Sequence, residues 1–252
     1  MQLGLVTYQW GADWDLPTLI ANCQKTGFAG VELRTTHKHG VEPALDAAAR
    51  KEVAKQFADS QVELVGLGTT CEFHSPDAAV LRKNIEETKA FIRLTHDVGG
   101  SGVKVRPNGL PAGVPVDKTI EQIGKSLDEV AAFGEGYGVE IRLEIHGRGT
   151  SDIPNVRKII DVSKHPASKL CWNCNPQDTA GAGLAANFTS VQDRLGTVHI
   201  HDLISEYPWR ELFGLLKQAK FGGWTLLEEG SQTSDPLRVM QYYRIVWETL
   251  AS

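Results

Sequence analysis

Short apolar segments alternate with longer amphipathic segments along the whole chain. The short segments are rich in Val, Ile and Leu, and several are nearly continuous, which is typical of parallel strands that are covered on both faces. This pattern predicts strands at 3–7, 30–34, 62–67, 102–106, 139–145, 169–173, 197–201 and 225–228. The amphipathic segments between them predict helices at 16–26, 44–59, 77–98, 117–135, 153–164, 180–194, 208–219 and 236–250.

Eight successive strand-helix units in 252 residues favour one fold class. A (β/α)₈ barrel has this number of units and this length, and it forms one domain, here over residues 1–252. The main alternative is an open doubly wound sheet, which usually has a glycine-rich phosphate turn after its first strand. The segment Thr7-Tyr8-Gln9-Trp10-Gly11 has no such turn. We therefore expect a single α/β TIM barrel.

Composition and charge exclude several classes of partner. The chain has 31 acidic and 26 basic residues, a formal charge of −5, which disfavours nucleic acid as a partner. The N-terminal segment lacks the basic start of a signal peptide, and its apolar run is too short to span a membrane. Four cysteines without dense pairing favour the reducing cytoplasm. Assembly into a homo-oligomer is left open.

Polar side chains stand where the last four predicted strands end. In a barrel of this kind the chemistry sits at these carboxyl ends. Residues two apart on a strand share a face, so pairs at this spacing can both point into the barrel mouth. Two carboxylates, an imidazole and one further oxygen suit Mn²⁺, Mg²⁺, Co²⁺ or Zn²⁺. The residues concerned are Glu144 and His146, then Asn173, Asn175 and Asp178, then His199 and His201, and finally Glu228.

Several local sequences resemble a known family. They are Gly27 to Arg34, Arg142-Leu143-Glu144-Ile145-His146, Val198-His199-Ile200-His201-Asp202, and the block from Tyr207-Pro208-Trp209 through Phe221-Gly222-Gly223-Trp224 to Glu228. Together they resemble the xylose isomerase-like TIM barrels, which include sugar phosphate isomerases and epimerases and the AP endonuclease branch. The resemblance covers nearly the whole chain.

The resemblance implies one divalent metal ion, with Glu144, Asn175, His199 and Glu228 as its ligands. The family commonly has Asp-x-x-His at the end of the sixth strand, whereas this chain has Asn175-Pro176-Gln177-Asp178. An amide oxygen brings no negative charge, so metal affinity should fall unless Asp178 supplies an oxygen. No other cofactor is implied.

A divalent ion between two glutamates predicts a sugar isomerase or epimerase acting on a sugar or keto-sugar. The resemblance gives Glu144 and Glu228 the proton-transfer roles, and the reaction would pass through a metal-stabilised enediolate. Two alternatives stay open. One is a lyase or dehydratase that eliminates a β-leaving group from a 3-keto sugar, glycoside or inosose. The other is a non-catalytic sugar-binding barrel, whereas an AP endonuclease would require further ligands and a basic groove.

Five residues around this site are predicted to bind the substrate. Lys104 and Arg106 share a face at the end of the fourth strand and suit hydroxyl, carboxylate or phosphate groups. The alternative is that one of them neutralises a glutamate inside the barrel. A second internal ion pair, between Glu32 and Arg34, is also open. The other three predicted substrate-binding residues are His146, Asp178 and His201.

Overall fold

The computed structural model describes all residues from Met1 to Ser252 and shows a closed barrel of eight parallel strands. The strands follow one another around the barrel in chain order, and the last pairs with the first. This confirms the (β/α)₈ barrel. The strands, β1 to β8, are Gln2–Val6, Gly30–Arg34, Glu63–Glu72, Gly102–Arg106, Glu140–Glu144, Ser168–Trp172, Leu195–Ile200 and Trp224–Leu227.

Eight helices pack around the barrel, one after each strand. Aspartate side chains cap the first turns of several of them. Asp77 accepts from the N–H of Ala79, and Asp235 accepts from that of Arg238. No helix combines the length and the apolar content that a membrane crossing needs. The helices, α1 to α8, are Leu16–Thr26, Ala47–Ala58, Ala78–Asp97, Val116–Glu135, Ile153–Val162, Leu184–Val191, Trp209–Gln218 and Pro236–Ala251.

Two elements differ most from the sequence expectation. Strand β3 continues to Glu72, five residues beyond the predicted end, because Glu72 pairs with Arg106 of β4 across an irregularity in register. Helix α6 has eight residues instead of the fifteen expected at 180–194. It begins after Gly183, whose φ of 86° is not helical, and a 3₁₀ turn, Gln192–Arg194, follows it. In the sequence, Gly183 was the signal for this later start of α6.

The barrel interior is filled mainly by polar side chains. The large apolar cluster lies between the strands and the surrounding helices, whereas the cluster at the barrel floor has four residues, Val6, Val65, Trp224 and Leu226. Arg142 lies above this floor and donates to the carbonyl of Val65 and to Ser101 Oγ. A Cβ at Gly102 would lie 2.3 Å from its guanidinium carbon, so glycine there makes room for the arginine. Charged groups therefore begin low in the barrel.

We expect Gly30→Ala to destabilise the fold. Its Cβ would lie 2.6 Å from the Trp224 ring and 2.8 Å from Val65, two neighbours that cannot move without disturbing the floor. Overpacking of this kind costs about 1–3 kcal/mol in the free energy of unfolding, which urea denaturation measures. The matched control is Gly214→Ala in α7, where nothing lies within 4 Å. It should stabilise by about 0.5–1 kcal/mol because alanine is the better helix former. Equal effects at both positions would contradict this account of the floor.

Candidate metal centre

Alternate residues of the strands point into the barrel, and this brings five ionisable groups together in one layer. Each comes from a different strand or strand end. A side chain in this layer is walled in by its neighbours, so four of the five residues are buried and only Glu228 is half-buried. The five are Glu32 of β2, Lys104 of β4, Glu144 of β5, His199 of β7 and Glu228, which follows β8.

Three of these residues form a group that can bind a metal ion. One ligand atom from each of Glu144, His199 and Glu228 lies within 4.8 Å of the others. His199 Nδ1 is 3.5 Å from Glu228 Oε2 and 3.9 Å from Glu144 Oε1. Two carboxylates and an imidazole make a hard-to-borderline donor set. These three are among the residues that the sequence selected as ligands.

Lys104 pairs with Glu144 inside the barrel. Its Nζ donates to Glu144 Oε2 at 2.7 Å, and the two side chains are 5% and 4% exposed. The alternative interpretation of Lys104, as a neutralising partner for a glutamate, is therefore confirmed. Arg34 does not pair with Glu32 as the sequence allowed, because its guanidinium lies over the Tyr8 ring, 4.5 Å from the centroid. Glu32 faces His199 instead.

The charges in this layer leave room for a divalent cation. Glu32, Glu144 and Glu228 carry three negative charges, and Lys104 supplies one positive charge. With a neutral His199 the layer has a net charge of −2, which is costly to bury without a counter-ion. Both ring nitrogens of His199 are buried and lack a hydrogen-bond partner. An ion with two positive charges fits both observations.

The surrounding charges set the protonation of these groups. Burial alone would raise the pKa of Glu144, but Lys104 lowers it below its usual value. Burial likewise opposes ionisation of Glu228, yet its contact with His199 lowers its pKa to about 2. Both glutamates are therefore ionised at neutral pH, as metal ligands and proton acceptors must be. Burial opposes charge on His199 too, but Cys171, Glu32 and Glu228 raise its pKa well above the usual range.

The end of β6 differs from the sequence interpretation. Asn175 was the predicted ligand, but its Nδ2 donates to the carbonyl of Ile145 at 2.6 Å, and its Oδ1 accepts from Asn173 at 3.4 Å. Asn173 is 5% exposed, and its amide oxygen is buried without a partner. The strand ends at Trp172, and Cys174 takes a left-handed φ of 51°. The alternation of side chains along β6 therefore does not continue to Asn175, which the resemblance had given as the ligand.

His201 is fully engaged by the main chain. Its Nδ1 contacts the carbonyl of Glu228 at 2.9 Å, and its Nε2 contacts the carbonyl of Asn173 at 2.8 Å. Both partners are acceptors, so both contacts are satisfied together only when both nitrogens carry a proton. His201 thus ties the end of β6 to the end of β8. The predicted contact between His201 and substrate would have to break one of these bonds.

Arg106 and His146 lie in a hydrogen-bonded network at the rim. Arg106 Nη2 donates to Glu72 Oε1 at 2.6 Å, and Asn108 Nδ2 donates to the same carboxylate. The Oδ1 of Asn108 therefore faces His146 and accepts from its Nδ1–H at 2.8 Å. Asn108 adopts a φ of 63°, and a Cβ on Gly147 would lie 2.6 Å from its backbone. Because Nδ1 of the half-buried His146 is bonded to Asn108, Nε2 is its free nitrogen.

Asp178 lies apart from the metal-binding group. It is 0% exposed, and its Oδ2 accepts from Tyr207 at 2.8 Å, while Trp172 donates to the same hydroxyl at 3.1 Å. Burial raises the pKa of Asp178 to about 7, although the Tyr207 hydrogen bond opposes this rise. Asp178 is thus bound to Tyr207 in this structure, and its contact with substrate stays a prediction.

Sequence reasoning passed over Glu32, which the structure brings to the layer, and Asn173, whose buried amide oxygen lacks a partner at the end of β6. Glu32 was considered only as an ion-pair partner, of Arg34 or of Lys104 or Arg106, and Asn173 only as part of the segment at the end of the sixth strand. For Glu32 the signal was its place in β2, two residues after Gly30, on the inward face. For Asn173 no sequence signal separates it from Asn175, because the turn at Cys174 is a tertiary feature.

Comparisons with known proteins show which family and fold this chain resembles. A family model described as xylose isomerase-like TIM barrel matches residues 20–242. A curated relative, the L-ribulose 3-epimerase of Mesorhizobium japonicum, is 26% identical over 164 residues, which cover 61% of this chain and 52% of the relative. The chain thus aligns with about half the length of that protein.

Two solved structures show the same fold. The structure of an L-ribulose 3-epimerase has a TM-score of 0.84 and 18% identity, and the match covers 100% of this chain and 95% of the other. The IOLI protein with a bound zinc atom has a TM-score of 0.84 and 15% identity, with coverage of 100% and 98%. At these identities the likeness establishes the fold alone.

We expect Lys104→Met to destabilise the metal-free protein strongly. The substitution leaves the buried Glu144 carboxylate without its cation, which costs roughly 3–5 kcal/mol in the free energy of unfolding. Adding Glu144→Gln in the same chain should recover much of that loss. Urea denaturation in the presence of a chelator measures both variants. Lys89→Met is the control, because Lys89 pairs with the half-exposed Glu129 and Glu86 on the helices and should cost at most about 1 kcal/mol. A similar loss at both lysines would contradict the buried pair.

We expect Asp178→Asn to change the pH dependence of stability. The pKa of Asp178 is raised from 3.8 to about 7, so between these values the unfolded chain is ionised while the folded chain keeps its proton. Stability of the wild type therefore falls as the pH rises through this range, and the asparagine variant lacks that fall. Its stability relative to wild type should increase from pH 4 to pH 7 and then stay level. Asp161→Asn, on an exposed pair with Arg157, should show no such trend. Unfolding free energies of the wild type and of both variants at several pH values measure these differences.

Proposed function

The chain belongs to the xylose isomerase-like TIM barrel family, and from this premise we propose that the enzyme is a divalent-metal-dependent isomerase or epimerase of a sugar or keto-sugar. The observation that carries the proposal is the group of Glu144, His199 and Glu228, in a layer whose three carboxylates and one ammonium have a net charge of −2 when His199 is neutral. The M. japonicum relative is a sugar epimerase, which supports the same class of reaction.

Four residues would hold the ion. Three are the members of that group, and we propose Asn173 as the fourth in place of Asn175, because only Asn173 has a free, buried amide oxygen. When bound, a divalent ion polarises a carbonyl oxygen and makes the neighbouring carbon-bound proton more acidic. The amide replaces the carboxylate that the family usually has at this strand end, so the site carries one negative charge fewer than in such relatives.

The two glutamates are suited to different parts of the proton transfer. Glu228 is the more open, with a side chain that is 15% exposed against 4% for Glu144. We propose that Glu228 removes the proton from the carbon beside the carbonyl. Glu144 is ionised, so the proton that it delivers to the opposite face or to a different atom of the enediolate comes from the Lys104 ammonium, which donates to Glu144 Oε2 at 2.7 Å. Exchange of protons with solvent then restores the Glu228 carboxylate and the Lys104 ammonium. Removal from one face and return to the other is an epimerisation.

Other residues of the mouth would bind and orient the substrate. Lys104 uses one N–H on Glu144 and a long contact of 3.4 Å to the carbonyl of Thr69, so a further N–H can donate to a substrate oxygen. The free Nε2 of His146 can accept from a hydroxyl, and Arg106 presents its guanidinium beside Glu72. Glu72 and Asn108 hold these two side chains in place, which lowers the entropy cost of binding.

A cytoplasmic setting is supported by the four free cysteines.

We expect the purified protein, stripped by a chelator, to take up about one divalent ion per chain when offered Mn²⁺, Co²⁺ or Zn²⁺. Elemental mass spectrometry after removal of free ion measures the content. His199→Ala and Glu228→Gln should lose the ion because each removes a ligand. Glu229→Gln is the matched control, since Glu229 binds the neighbouring Ser231 and should keep the ion.

Two further variants separate the asparagines in the same assay. Asn173→Asp should bind the ion about tenfold more tightly, since it adds a negative ligand, whereas Asn175→Asp should not. The reverse order would restore Asn175 as the ligand. A wild type that takes up no ion at millimolar concentration would refute metal-dependent catalysis by this site.

The reaction itself is tested by isotope exchange. The metal-loaded protein is incubated with ketoses and 3-keto sugars in D₂O, and NMR follows deuterium at the carbon beside the carbonyl. Exchange with formation of an epimer or isomer is the expected result, and Glu228→Gln should slow it by about 10²-fold or more. Loss of water or of an aglycone would indicate the lyase or dehydratase instead. Binding without exchange would indicate a sugar-binding barrel.

A further inference from the structure

The imidazole of His199 lies between carboxylates on opposite edges of the ring. Nδ1 faces Glu144 and Glu228, while Nε2 lies 3.3 Å from Glu32 Oε1. All three side chains around the ring come from other strands or strand ends. Neither ring nitrogen has a hydrogen-bond partner, and Glu32 Oε1 also lacks one. Two buried groups without other partners thus face each other at 3.3 Å.

The barrel makes room for Glu32 at this place. A Cβ on Gly68 of β3 would lie 2.8 Å from Glu32 Oε1, so the glycine keeps the space that the carboxylate occupies. Glu32 is 1% exposed, and its only ion-pair partner within 4.0 Å is His199. Lys104 forms its ion pair with Glu144, and the Arg34 guanidinium lies over the Tyr8 ring. No other cationic side chain lies within 4.0 Å of this carboxylate.

We propose that Glu32 is a positioning residue for metal binding, which accepts a hydrogen bond from His199 Nε2–H and so presents Nδ1 to the ion. The inference rests on the proposed function, since it concerns the same metal centre. A neutral imidazole has one N–H, and the partner of that N–H decides which nitrogen is free to ligate. A carboxylate in this role also orients the ring and raises its basicity.

Because the two nitrogens of His199 lie on opposite edges of the ring, the place of the ion decides which nitrogen binds it. If Nε2 were the ligand, the ion would lie on the side of Glu32, away from Glu144 and Glu228. If Nδ1 is the ligand, all three members of the group act on one ion, and Glu32 remains behind the ring. Loss of the Glu32 carboxylate should therefore weaken metal binding although Glu32 itself does not touch the ion.

The first test needs no variant at Glu32. The Zn²⁺-loaded wild type, labelled with ¹⁵N in its histidines, is examined by NMR, and the His199 signals are assigned by their loss in His199→Gln. We expect Nδ1 to show the shift of a metal-bound nitrogen and Nε2 to carry a proton. Ligation through Nε2 would overturn the inference.

The second test measures the affinity for Mn²⁺ and Zn²⁺ by calorimetry. Glu32→Ala should bind about 10- to 100-fold more weakly, as is typical when the partner of a ligating histidine is removed. Glu32→Gln should lose less, because its amide oxygen can still accept from Nε2–H. The absorption spectrum of the Co²⁺ form should change in Glu32→Ala. Glu140→Gln is the control, since Glu140 pairs with Arg142 at the floor and should bind as the wild type does.

The outcomes separate the two proposals. A wild type that takes up no ion overturns the proposed function and this inference with it. A wild type that binds, with Glu32→Gln and Glu32→Ala within twofold of its affinity, overturns this inference alone. Circular dichroism checks that each variant is folded. If Glu32→Ala does not fold, Glu32→Gln and the wild-type NMR spectrum decide between the same results.

Discussion

Charge balance inside the barrel is the constraint on which the candidate centre depends. Ionised groups are costly to bury unless each has a partner, and here three carboxylates share a layer with one ammonium. Lys104 compensates Glu144 directly, and the remaining charge of −2 faces the two nitrogens of His199. A divalent cation is the simplest partner that completes this arrangement. Lys104 and His199 keep Glu144 and Glu228 ionised, and hence able to accept protons.

Closure of the barrel is what brings these groups together. Each strand contributes one or two inward side chains to a layer, so residues far apart in the chain become neighbours around a ring. Glycines decide how close the charged groups can come. Gly102 makes room for Arg142 near the floor, and Gly68 makes room for Glu32 one layer higher. The rim is braced separately, where Asn108 in a left-handed conformation fits against Gly147 and fixes His146.

The site could be predicted in part because strand periodicity is a local property. Glu144 and His199 lie on regular strands and Glu228 follows one directly, so their inward direction follows from counting along the strand. The choice between Asn173 and Asn175 could not be made in this way, since Cys174 turns the chain out of the strand. Asp178 and His201 were placed beside the site by their position in the chain. Their hydrogen bonds to Tyr207 and to two carbonyls give them other partners.

The amino-acid sequence by itself determined the eight strand-helix units, the barrel and three of the residues at its mouth. It did so because apolar periodicity and the ends of strands are read from neighbouring residues. Only the tertiary structure decided that Lys104 pairs with Glu144, that Glu32 faces His199, and which asparagine keeps a free oxygen. These are contacts between different strands, and side-chain distances across a closed barrel depend on register, on bulges and on the space that glycines leave. None of those three quantities is encoded at a single position of the chain.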